Sequence, residues 1–459
     1  MLALTAALLL QAASPYVVAR DPVLALTNAR VIDGTGAPAR EAQTIVLRDG
    51  RIAALGPVAS TLIPTGAAVR DLAGKTVIPG LVMLHEHLFY VAGGGAYPTH
   101  SESFPRLYLA GGVTTMRTAG NMGGYTDFNV KRVIDAGQAP GPDIHVTAPY
   151  FNGPGLGIPG VKGLRDVDDA RRMAEYWASE GATSFKAYMQ ITREELAAVI
   201  AVAHAHGIKV TAHLCSVTYR EAADLGIDNL EHGFRASSDF APNKQPDTCP
   251  GAAAGTRGLV GRPVSDPEVQ DLLRHLVERR VAITATPTVF ETRVPGQPKA
   301  PPGALEAMLP DVRRQYEETW ERVRRDTAGT QRRDYDHMMA LNREFVRLGG
   351  QLVLGTDPTG YGGVVPGYAN QRAIQLLVDG GFSPLEAIRI ATLNGATYLG
   401  IADRTGSIAV GKDADLVVLG GNPLTDMAAI TRMEVVFKKG VGYDSAALFA
   451  SVKGLVGWK

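Results

Sequence analysis

Between Val77 and about residue 360 the chain repeats one alternation, a short apolar run followed by a helical stretch. The runs are VIPGLVMLHEH, GVTTMRTAG, PDIHVTAP, ATSFKAYM, KVTAHL, NLEHG, VAITATPT and GQLVLGTDP. VDDARRMAEYWASEG and TREELAAVIAVAHAHG, which lie between them, have the spacing of amphipathic helices. Eight strand–helix units over about 280 residues predict a (β/α)8 TIM barrel of parallel strands. The competing architecture, an open doubly wound sheet, would need a glycine-rich phosphate loop after an early strand. The sequence contains no GxGxxG and no P-loop. Gly93-Gly94-Gly95 is read as a flexible loop after the first strand.

The chain ends differ from the middle. From Val23 to about Leu72, short alternating runs are divided by Asp-Gly, Gly-Pro and Ala-Gly turns. The last sixty or so residues repeat that texture in GSIAVGKDADLVVLGG and MEVVFKKGVGYD. Neither end has enough strands for a sheet of its own. The economical division is therefore a composite β-sandwich from 22–76 and 402–459, with a barrel at 77–401 inserted between its halves. Residues 1–21 are read as a signal peptide or leader, with an apolar core from Leu2 to Leu10 and small residues Ala12 and Ser14 after it. The usual basic start is missing. An exported, periplasmic protein is the expectation, with a cytoplasmic one still open. No other segment approaches the ~20 apolar residues of a membrane span.

Composition excludes several classes. Lys+Arg and Asp+Glu both number 46, so nothing points to nucleic acid or to an anionic surface. The two cysteines, Cys215 and Cys249, have no zinc-ribbon spacing. A bridge between them would require export and a 234–263 loop folded over the site. That segment and 291–347 exceed ordinary βα connections, and both substrate lid and homo-oligomer contact remain open uses.

Reactive groups of a barrel gather at the C-terminal strand ends. Those ends carry His85 and His87, then Lys186, His213, His232 and Asp357. On a strand, i and i+2 share a face, so His85 and His87 can reach one ion. His204 and His206 have the same spacing within a helical pattern, where i and i+2 diverge; they are read as helix-end residues beside Gly207. Glu86 faces away and is read as a structural ion-pairing residue. A lysine among histidines makes sense in a cation site only if its charge is removed or inverted. Histidine nitrogens and carboxylate oxygens without thiolate suit zinc, with manganese, cobalt or nickel as substitutes.

With NARVIDGTG, DLAGKTVIPGL, His85-x-His87, FKAY, VTAH, EHG, LGTDP, ATLNGA and GSIAVGKDADLVVL in this order, the chain resembles the amidohydrolase superfamily. The likeness is to its imidazolonepropionase-like and Xaa-Pro dipeptidase branch, and it covers almost everything after the leader. The resemblance implies a binuclear centre with N6-carboxylysine at Lys186 bridging two divalent metal ions. His85, His87 and Asp357 would hold one ion and His213 and His232 the other. Water acidified there, from a pKa of about 15.7 to about 7, would attack a polarised amide carbonyl. Asp357 would serve as general base and then acid. An N-acyl amino acid, dipeptide or aryl amide is the expected substrate; a cyclic amide, lactone or ester is the alternative, and a non-enzymatic interaction protein on the same fold is a third.

Departures from the family fall where substrate is recognised. Met83 stands where the family usually has aspartate, Cys215 where dipeptidase relatives often have tyrosine, and APYFNGPGLGIPG replaces their glycine- and histidine-rich loop. Candidate substrate contacts are Tyr188, which shares the inward parity of Lys186, together with Tyr150, Asn152, Tyr219 and Arg220. Arg220 is a potential carboxylate clamp, set against a solvated charge at a helix start.

Overall fold

The computed structural model describes residues 14–92 and 96–457. The apolar core of the leader (Leu2 to Leu10) and the glycine triplet lie outside them. Eight parallel strands carry the middle of the chain: β1 (Leu81–Glu86), β2 (Val113–Thr118), β3 (Asp143–His145), β4 (Ser184–Ala187), β5 (Lys209–Ala212), β6 (Asn229–Glu231), β7 (Ala282–Ala285) and β8 (Leu352–Leu354). β1 to β3 pair in sequence, as do β4 to β8. A parallel bridge between Thr147 and Ser184 joins the β3 exit to β4. The amides of Thr356 and Asp357, just past β8, both donate to the His85 carbonyl on β1 at 3.1 Å. The chain is a mixed α/β fold of parallel strands with helical crossovers.

Local chemistry explains the crossovers. Thr192 and Thr218 start the helices Arg193–Ala205 and Tyr219–Asp224 with full capping boxes, their hydroxyls accepting from the Glu195 and Glu221 amides. The apolar faces of Arg193–Ala205 and Pro267–Glu278 bury Leu196, Val199, Leu272 and Leu276 completely or nearly so, joining a core that runs through all eight units.

A nine-stranded, mostly antiparallel sheet takes strands from both chain ends. Leu416–Leu419 pairs antiparallel with Thr76–Pro79, setting Val418 opposite Val77, and Leu24, Ile45, Val77, Leu416 and Phe437 form its core. Two boundaries move. The run VIPGLVMLHEH is two strands, because Thr76–Pro79 belongs to this sheet and β1 begins at Leu81. Gly80 makes the break where Thr114 leaves no room for a Cβ. At the other end Val17–Ala19 pairs with Val441–Asp444, so the sheet starts within the segment read as leader.

Both long excursions are partly helical. Ala252–Val260 lies in the first; Pro302–Ala307, Pro310–Arg324 and Thr330–Arg347 lie in the second.

Candidate metal centre

The floor is built from strand ends. His85 closes β1, and its Nδ1 is 2.7 Å from Glu231 Oε2 on β6. Its Nε2 is 3.7 Å from Asp357 Oδ1, while His87 Nε2 approaches the same oxygen at 3.4 Å. His232 Nδ1 lies 2.9 Å from Thr286 Oγ1 and 3.9 Å from Asp357 Oδ2. The His232 ring is 4.6 Å from that of His85 and 4.5 Å from that of His213. One ligating atom from each of His85, His232 and Asp357 falls within a 4.8 Å cluster. Lys186 is 1% exposed, with Nζ 3.5 Å from Glu231 Oε1. All six residues singled out at the strand ends thus meet in one place.

Backbone strain supports the gathering. His232 has φ +68° and Asp357 φ +55°, the left-handed region that non-glycine residues seldom enter. Each is held there by a neighbour. The Tyr219 hydroxyl is 3.0 Å from the Glu231 carbonyl and 2.9 Å from that of Gly233, bracketing His232. The two amides on the His85 carbonyl fix the Asp357 turn, and Gly355 packs so closely on His85 that no side chain fits.

The electrostatics favour ligating states. Burial pushes His85 down to about 4, against the opposing pull of Glu231. Burial, reinforced by Lys186, takes His213 to about 3, and His232 is likewise lowered well below its ordinary value. These three imidazoles are therefore neutral at pH 7, with lone pairs available. Burial also brings the Lys186 amine down to about 8. His87 Nδ1 and Lys186 Nζ are buried without hydrogen-bond partners, and orphaned polar atoms of that kind cost free energy unless something else binds them. The donor set fits divalent cations.

Two residues of the centre escaped the reading of strand ends. Glu231 accepts from Arg117 Nη2 at 2.5 Å and from Thr211 Oγ1 at 2.5 Å while facing His85 and Lys186. Arg117 is fully buried on β2. The signal was parity: Asn229 and Glu231 alternate with Leu230 in NLEHG, as Thr115 and Arg117 alternate with Met116. Glu86 is in no ion pair among the described residues. Thr356 Oγ1 and Asn370 Nδ2 donate to it, and burial raises its carboxyl to about 8.

The expected substrate contacts divide. Tyr188 and Tyr150 are at the centre, the first with its ring 5.1 Å from His213 and 4.9 Å from Tyr150. The other three need correction. Asn152 spends its amide on the Gly153 carbonyl and the Gln190 amide, shaping its own loop. Tyr219 is wholly buried behind His232. Arg220 points to solvent and pairs with Asp271 at 2.5 Å. His204 and His206 end their helix, paired with Asp228 and Glu175. Cys215 is disulfide-bonded to Cys249 and offers no thiolate.

Above the floor is a cavity of about 970 Å³, with His213 and His232 in its lining and both long excursions forming its walls.

The description Amidohydrolase family matches residues 327–441, which include Asp357. An enamidase of Eubacterium barkeri is 25% identical over 402 residues, 85% of this chain and 84% of that one. A solved structure of a prolidase-like protein from Bifidobacterium longum has 28% identity and a TM-score of 0.66, covering 95% of this chain and all of that one. These likenesses support the amidohydrolase superfamily, with prolidase-like relatives. The chain is a hydrolase of C–N bonds, in a family that generally binds divalent metals. At 19% identity and a TM-score of 0.65, the ochratoxinase of Aspergillus niger shares the fold, covering 93% of this chain and 96% of its own.

Proposed function

We propose that this amidohydrolase uses a binuclear metal centre to cleave an amide or related C–N bond of a small substrate. The observation that carries the reading is the convergence of six groups from five strand ends on one buried point, with the imidazoles of His85, His213 and His232 held neutral. In this reading β1 to β8 close as one (β/α)8 barrel, and the nine-stranded sheet is a separate composite domain. His85, His87 and Asp357 would hold one cation, His213 and His232 the other, and Lys186, carboxylated on Nζ, both. Two such cations, when bound, supply Lewis-acid polarisation and acidified water.

The chain's own groups do the rest. Glu231 and Thr286 engage Nδ1 of His85 and His232, fixing ring orientation and leaving Nε2 of each ring to ligate. Asp357, its side chain 23% exposed, takes the proton of the attacking water on a carboxylate oxygen and returns it to the leaving nitrogen. Tyr188, beside His213, is placed to orient the carbonyl. The Cys215–Cys249 bridge supports an exported location, since such bonds persist in oxidising compartments.

Elemental analysis with amide-hydrolysis assays tests this. The wild type should hold about two metal ions per chain, as a shared clamp requires, and Lys186→Ala should lose metal and activity together. Asp357→Asn should lose roughly 10²–10⁴-fold in kcat or more. Full metal content in Lys186→Ala would refute the bridging role.

A further inference from the structure

Glu86 stands between His85 and His87 on β1, and strand alternation puts its side chain on the opposite face from theirs. It is fully buried. The Thr356 hydroxyl donates to one of its oxygens and the Asn370 amide to the other at 2.9 Å, while the Tyr108 hydroxyl also reaches it. An apolar side chain of that length would fill the space without the cost of taking a carboxyl out of water. What the carboxyl adds is a set of tethers, two of which lead to ligands of the proposed centre. The Tyr108 hydroxyl accepts from the His87 amide at 3.2 Å and donates to the His87 carbonyl at 2.9 Å.

Thr356 leads to Asp357. It too is fully buried, and it is pinned at three points. Its amide donates to the His85 carbonyl at 3.1 Å, its carbonyl accepts from Thr288 Oγ1 at 2.9 Å, and its hydroxyl meets Glu86. The residue that follows is Asp357, with its φ of +55°. An aspartate carboxylate is two rotatable bonds from its backbone, so the setting of the Thr356–Asp357 peptide governs where its oxygens lie. Asp357 Oδ1 lies 3.4 Å from His87 Nε2 and 3.7 Å from His85 Nε2. One side chain therefore lies between two of these three residues in sequence and holds the third through its neighbour.

We propose that Glu86 is a positioning residue for Asp357, acting through Thr356 to set the angle at which that carboxylate faces His85 and His87. Asn370 is the anchor. Its Oδ1 accepts from the Gly367 amide at 2.8 Å, which ties Glu86 to the start of the helix Tyr368–Asp379. The inference rests on the hydrolase reading for what Asp357 does, but not for where it sits.

Four variants test it. T356V and E86L remove the hydrogen bond with little change of volume; T356S and E86Q keep a polar partner, and T356V carries the test should E86L not fold. In the first arm, crystal structures of the wild type, T356V and T356S are compared. The Asp357 carboxylate should shift by about 1 Å from its place beside His87 in T356V, a displacement able to cost about 100-fold in rate, and return in T356S. In the second arm, the cobalt(II)-loaded proteins are followed by visible absorption, which reports coordination geometry. The bands should move in T356V and E86L and be restored in T356S and E86Q. With 4-nitroacetanilide as the amide, kcat should fall about 100-fold in T356V while KM stays within a few-fold. An unmoved Asp357 in T356V, or a T356V cobalt spectrum equal to that of the wild type, would overturn the proposal. So would a T356S variant as impaired as T356V, since packing alone would then be at work. A wild type that binds no cobalt or cleaves no amide would fault the hydrolase reading, and the crystal structures would still decide the positioning.

Discussion

The floor and the walls of the site are built on different principles. Floor residues stand at the ends of strands whose ladders fix them, and their second atoms are held by further buried groups. The walls come from two excursions, the first fastened by a few cross-links: the Cys215–Cys249 bond, a fork from Arg193 to Asp247 at 3.0 Å, and Lys244 on the Ser216 carbonyl at 2.5 Å. A floor so tied can be altered only by disturbing the fold. A wall so tied can be exchanged while the chemistry below stays in place, which is how one fold serves many substrates.

The sharpest way to break this comparison is at Glu231. Its carboxylate pairs with the buried Arg117, lies 3.5 Å from Lys186 Nζ and orients His85. Glu231→Ala strands the Arg117 guanidinium out of water, and losing one partner of a buried pair costs about 3–5 kcal/mol. Chemical denaturation should show a loss of that order, accompanied by lost metal. A variant with wild-type stability would mean that the floor is not held by its charges.

The walls should respond differently. Cys249→Ser, or reduction, releases a link spanning a sequence separation of 34 residues, worth about 2–4 kcal/mol. KM should rise several-fold while metal content and kcat hold nearly constant. Loss of metal on reduction would show that floor and wall are one unit, since Cys215 lies only two residues beyond His213.

The same contrast accounts for what could be read in the sequence. Six polar residues closing apolar runs stand out, because a strand end asks only for something apolar inside. Their partners do not: Arg117 sits within GVTTMRTAG and Glu231 within NLEHG, and only inward parity marks them. Asn152 and Tyr219 occupy the right positions with the wrong orientation, since position along the chain says nothing about which hydroxyl or amide the backbone claims first. The join at Gly80 was hidden because two strands of different sheets follow each other without a break in hydropathy.

The finest test of floor against wall uses two adjacent residues at one helix start. Tyr219 turns inward, and its hydroxyl touches the carbonyls on either side of His232, a residue held at positive φ. Arg220 turns outward to Asp271, 39% exposed. Tyr219→Phe removes only an oxygen, but it takes away the one O–H that two buried carbonyls share, at a cost of about 1 kcal/mol. Because those carbonyls brace the strained turn, metal affinity should fall with stability while KM does not move. Arg220→Ala breaks an exposed pair worth about 0–1 kcal/mol, and should leave metal affinity, kcat and KM unaltered. Metal titration and steady-state kinetics on both variants separate the cases: should Arg220→Ala raise KM or lower metal affinity, the outward-facing residue of the helix start would belong to the site after all.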